Sequence, residues 1–86
     1  MFVLIRQDYD TILAPTKVTA HGTREDAVRA MVADYETVRA ERTDTDEDGY
    51  EWHDFSDDSS WYDEQAMTAR LVDRYGEGSY WRVFEV

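Results

Sequence analysis

The chain of 86 residues has room for one small domain spanning residues 1–86; at 42% apolar and 14% aromatic it is too rich in core-forming side chains for a disordered chain. Its 20 acidic residues against 9 basic ones, a formal net charge of −11, argue against direct binding to nucleic acid or to an anionic membrane, both of which need a surplus of Lys and Arg. Without cysteine there is no disulfide, thiolate metal site or thiol nucleophile, and no apolar run approaches the roughly 18 residues of a membrane span.

Phe2 to Gln7 reads as a strand, being short and rich in β-forming residues. The same run is too short for a signal peptide and lacks a small-residue cleavage site, so a cytoplasmic chain is expected. Asp8-Tyr9-Asp10 reads as a polar turn, Pro15 as a breaker or edge marker, and Thr16 to Ala20 as a second short strand closed by His21-Gly22. Thr23 is a good helix N-cap with Asp26 three residues on, and Glu25 and Asp26 suit the positive end of the helix dipole. Ala27, Val28, Met31, Val32, Tyr35 and Val38 then recur at helical spacing, predicting an amphipathic helix from about Arg24 to Arg42. Tyr50, Trp52 and Asp54 alternate as in a strand, and Asp57-Asp58-Ser59-Ser60 is a loop. Glu64 to Asp73 admits two readings. One is a helix capped by Ser60 and ended by Gly76; the other, preferred here, is a strand with Met67, Ala69 and Leu71 on one face and Thr68 and Arg70 on the other. Gly76-Glu77-Gly78-Ser79 is a turn, and Tyr80 to Val86 is a strand. The expected fold is α+β: an antiparallel sheet of three to five strands, its two terminal strands central, with one amphipathic helix packed on one face.

The negative charge is concentrated. Residues 43–65 hold Asp44, Asp46, Glu47, Asp48, Glu51, Asp54, Asp57, Asp58, Asp63 and Glu64 and no Lys or Arg, so nearly the whole excess lies there. An acidic block of this kind is usually solvated tail. Here Tyr50, Trp52, Phe55, Trp61 and Tyr62 run through it, and aromatic residues are depleted in disordered segments, so the segment is expected to be at least partly ordered. Fully extended at about 3.3 Å per residue, it would place a carboxylate roughly every 7.6 Å, sparser than duplex DNA at about one charge per 1.7 Å.

Three smaller patterns bear on chemistry. Asp44-x-Asp46-x-Asp48-Gly49 resembles the first half of an EF-hand calcium loop, with alternate carboxylates for a hard cation and a glycine for the turn. The twelfth position, which needs a bidentate Glu, holds Phe55, leaving Asp44, Asp46 and Asp48 as a weak calcium candidate. His53 beside Asp54 and near Asp57 has no spacing that implies a catalytic or metal partner, and both it and His21 are expected to be exposed. Arg6, Arg70, Arg74 and Arg82 are expected to offset local acids, and Trp81 to sit in the core. No nucleophile elbow, phosphate loop or cofactor motif is present, so the expectation is not an enzyme and no cofactor.

In its short single domain, its −10 stretch from Asp44 to Glu64 with interleaved rings, and its lack of a catalytic constellation, the chain resembles small acidic phage-encoded inhibitors of the anti-CRISPR or DNA-mimic kind. The likeness is one of character over the whole chain and transfers no residue roles. It implies an inhibitor in the host cytoplasm whose partner is a basic nucleic-acid-binding protein such as a Cas effector. The residues expected to meet that partner are Asp44, Asp46, Glu47, Asp48, Glu51, Trp52, Asp54, Asp57, Asp58, Trp61, Tyr62, Asp63 and Glu64. Aromatic anchors inside a polar surround have the composition of interaction hot spots. The rival readings are an antitoxin-like or regulatory module binding a basic protein, and a calcium-binding module; an exposed Trp would also serve a homodimer.

Overall fold

A computed structural model describes residues 1–9 and 15–86. Strand β1 (Phe2–Asp8) pairs antiparallel with β2 (Lys17–His21), with Leu4 opposite Thr19. Helix α1 (Arg24–Glu41) follows, then a small hairpin of β3 (Thr43–Thr45) and β4 (Glu51–His53). A 3-10 turn at Asp57–Ser59 leads to β5 (Trp61–Asp63), β6 (Thr68–Val72) and β7 (Gly78–Glu85). The main sheet is wholly antiparallel in the order β2-β1-β7-β6-β5. Its central strand is β7 with β1 beside it, as the apolar character of the two terminal segments predicts. The strand reading of Glu64–Asp73 holds for its second half, while residues 64–67 form the turn before it. Asp8 ends β1 rather than opening a turn, and Asp10 lies outside the described residues.

The helix begins where its sequence dictates: the Thr23 hydroxyl accepts a hydrogen bond from the Asp26 amide at 3.1 Å, satisfying one of the free amides of the first turn. Ala27, Val28, Met31, Tyr35 and Val38 are buried against the sheet, whereas Val32 is only half-buried. Alternation along the strands supplies the other half of the core. Leu4, Ala69, Leu71, Trp81 and Val83 point to the helix and are almost fully buried, and the Tyr35 ring meets Trp81 edge-on at 5.5 Å. No helix among the described residues is long and apolar enough to cross a membrane.

One charged side chain sits inside this layer. Asp34, between Met31 and Val38 on the buried stripe, is 8% exposed. It accepts hydrogen bonds from Trp81 Nε1 at 2.8 Å, Arg6 Nη1 at 3.0 Å and Lys17 Nζ at 3.1 Å. Burial by itself would raise its pKa. The bonds from Trp81 and Lys17, with the positive charges of Arg6 and Lys17, outweigh that and hold the carboxyl below the usual carboxylate range. Asp34 thus ties α1, β1, β2 and β7 together.

Candidate interaction surface

The acidic segment leaves the C-terminal end of α1, and aromatic and cationic contacts hold it there. Phe55 is the anchor: it is 4% exposed and belongs to the core. Its ring stacks on His53 at 3.7 Å, and the guanidiniums of Arg39 and Arg42 lie 4.9 and 5.8 Å from its centroid. The same arginines reach acids on either side. Arg42 Nη2 pairs with Asp54 at 3.0 Å and its Nη1 donates to the Leu71 carbonyl, while Arg39 meets Asp57 at 3.7 Å. Asp57 also takes His53 Nε2 at 3.2 Å. Beyond Phe55, Ser56 N donates to the Val72 carbonyl and Ser60 Oγ accepts from Val72 N, binding the chain to the end of β6. His53 is therefore half-buried and structural rather than exposed, and His21 is likewise half-buried, 2.8 Å from the Thr19 hydroxyl.

The β3–β4 hairpin stands out from this anchor. Asp44 lies opposite Trp52, and Thr43 lies opposite His53. Since His53 packs inward on Phe55, the pleat turns Trp52 and Asp44 the other way, and Trp52 is 58% exposed. The connecting turn explains the calcium-like spacing. Asp46 Oδ1 accepts from the amides of Asp48 and Tyr50, both at 2.9 Å, and Gly49 adopts φ +86°. The β6–β7 hairpin uses the same device with Arg74 and Tyr75 where the first turn has Glu47 and Asp48: Asp73 Oδ1 accepts from the amides of Tyr75 and Glu77, and Gly76 has φ +80°. An Asp whose carboxylate caps the turn, with glycine at the left-handed position, is hairpin chemistry. Asp44, Asp46 and Asp48 do not gather, and no group of three or more metal-ligating side chains is found among the described residues.

The rest of the segment forms the 3-10 turn and the edge strand β5. Trp61 and Asp63 point to the sheet face away from the helix. Tyr62 points to the helix side, where its ring meets Tyr35 edge-on at 5.5 Å while remaining 43% exposed. Asp63 Oδ1 caps the next turn by accepting from the amides of Gln65 and Ala66. All the acidic residues of 43–65 are exposed. Asp54 and Asp57 are ion-paired, and Asp46 and Asp63 serve turns. The side chains of Asp44, Glu47, Asp48, Glu51, Asp58 and Glu64 have no neutralising partner among the described residues. The predicted partner-facing residues are thus divided between a projecting hairpin (Asp44 to Trp52), an anchored linker (Asp54 to Asp58) and an edge strand with its turn (Trp61 to Glu64).

Two features escaped the sequence reading. Asp34 was hidden because a charged residue on a helix reads as surface; its place on the apolar stripe was the available signal. Arg70 and Arg82 pair with no acid among the described residues. Arg70 lies 5.2 Å over Trp61 and donates from Nε to the Ser59 carbonyl at 2.7 Å, and Arg82 lies 5.1 Å over Phe84. Arg74 similarly covers Tyr75, whereas Arg6 does pair with acids. The chain matches no family model, no curated protein and no solved structure.

Proposed function

We propose that the protein is a non-enzymatic inhibitor that presents segment 43–65 to the basic, nucleic-acid-binding surface of a partner protein, with a Cas effector as the first target to test. The observation that carries this reading is the state of the acids. They stand in solvent on backbone that Phe55 and the β5–β6 pairing hold in place, and six of them have no neutralising partner among the described residues. An ordered anionic surface steers toward a basic cleft over long range and loses little conformational entropy on docking. Trp52 and Trp61, 58% and 41% exposed, supply rings that a groove built for bases would accept.

The test is competition. The full chain should block oligonucleotide binding by a Cas effector, and inhibition should weaken as salt rises. Reversing the hairpin charges together (Asp44→Lys, Glu47→Lys, Asp48→Lys) should weaken inhibition by about tenfold or more, and Trp52→Ala by a similar factor. Ala substitutions at Arg29 and Glu36 on α1 should leave it unchanged. If the helix variants abolish binding while the charge reversals do not, the surface is wrong. Tight binding to a basic protein without competition against nucleic acid would favour the antitoxin-like reading instead.

A further inference from the structure

The main sheet has a second face that the helix does not cover. Register places three rows of side chains on it. Trp61, Arg70, Tyr80 and Gln7 form one, Asp63, Thr68, Arg82, Ile5 and Val18 the next, and Phe84, Val3 and Ala20 the third. A solvated antiparallel face normally alternates to polar residues. This one keeps rings and aliphatic side chains: Trp61, Tyr80 and Phe84 are each about 40% exposed and Val18 is 54% exposed. Across β1, β7, β6 and β5 it forms a shallow cavity of about 460 Å³, lined by Ile5, Trp61, Arg70, Tyr80, Arg82 and Phe84 among others. That is the size of a small-molecule site.

Charge says what the cavity would take. In a chain of 20 acids and 9 bases, the guanidiniums of Arg70 and Arg82 form no ion pair with any carboxylate among the described residues. Arg82 lies on the central strand, and its guanidinium donates to no protein group among the described residues, resting only on the Phe84 ring. A second copy laid face to face would bring like guanidiniums together near the middle of the interface, which is unfavourable. A polyanion is repelled by the −11 of the whole molecule. On this face, however, register sets two guanidiniums, Arg70 and Arg82, beside one carboxylate, Asp63, an excess of one positive charge that suits a monoanion. We propose that the uncovered sheet face binds a small aromatic monoanion, its ring lying on Trp61 and Tyr80 and its acid group accepting hydrogen bonds from Arg82 and Arg70. The site is separate from the hairpin and does not depend on the inhibitor reading.

The probe is 1-naphthoate, titrated into the full chain and followed by amide NMR shifts, with the uncharged 1-naphthamide as its control. Naphthoate should bind saturably with a dissociation constant of about 1 mM or tighter, and the shifts should map to β5, β6 and β7. Naphthamide should bind about tenfold more weakly, because the charge-assisted bonds are lost. Arg82→Gln and Trp61→Ala should each weaken naphthoate by about tenfold, Arg82→Lys should retain part of the affinity, and Arg74→Gln should change nothing. These side chains are exposed, so far-UV circular dichroism should show every variant folded. The proposal is overturned by an absence of saturable shifts, by equal affinity for the two probes, by shifts confined to α1 or the β3–β4 hairpin, or by folded Arg82→Gln and Arg70→Gln variants that bind as the parent does. A stable dimer in sedimentation equilibrium that buries this face would overturn it as well.

Discussion

Asp34 shows how much one side chain can organise in a domain this small. Its carboxylate is the shared acceptor for an indole N–H, a guanidinium and an ammonium from three strands. Removing one partner of such a buried cluster leaves the others desolvated and unpaired, which typically costs about 3–5 kcal/mol. Because Arg6 and Lys17 are 19% and 45% exposed and can turn to water, Asp34→Asn should cost nearer to about 2 kcal/mol in urea denaturation. The pH dependence has a definite sign. A carboxyl held below its unfolded pKa of about 3.9 contributes stability above that pH and loses it as pH falls through the lower folded value. The parent chain should therefore lose stability below about pH 4, and Asp34→Asn should lose less over the same window.

At the scale of elements, Phe55 decides whether the acidic segment is a surface or a tether. The carboxylates around it repel one another, and hydrogen bonds in the turns orient residues only locally. The opposing attraction is a ring buried to 4% exposure between His53 and two guanidiniums, flanked by backbone bonds to β6. Phe55→Ala should cost about 3 kcal/mol or more of stability. It should also speed limited proteolysis within 43–60 before the sheet unfolds, since that segment then keeps few buried contacts. Uniform loss of protection across the chain would instead mean that Phe55 supports only the global fold. The two Asp-capped hairpin turns act at this scale too: the calcium-like spacing in one of them is explained by a turn repeated from Asp73 to Glu77 with Arg74 and Tyr75 in place of Glu47 and Asp48.

Over the whole molecule the charge asymmetry is the dominant long-range term. A net charge of −11 on 86 residues destabilises the compact state by self-repulsion, most strongly at low ionic strength. Raising sodium chloride from about 20 mM to about 300 mM, which shortens the Debye length severalfold, should raise the thermal midpoint by a few degrees. The hairpin charge reversals proposed above should reduce that dependence. A midpoint indifferent to salt in both proteins would mean that the exposed acids are already too far apart to interact.

Local patterns and charge could be read without coordinates because they depend on near neighbours. The helix from Thr23 onward, its buried stripe, the terminal strands, the fold class and the concentration of acids in 43–65 all follow from spacing, capping and composition. What Phe55, Asp34, Arg70 and Arg82 do could not be read this way. Asp34 bonds Trp81, 47 positions along the chain, Phe55 sits under Arg39 and Arg42 of the helix, Arg70 donates to Ser59, 11 positions back, and whether an acid reaches Arg82 depends on which strands flank it. Strand register and helix packing bring those partners together, and neither is encoded in any short stretch of the chain. Tertiary structure alone therefore turned an acidic run into an anchored surface and left a ring-and-guanidinium face on the other side of the sheet.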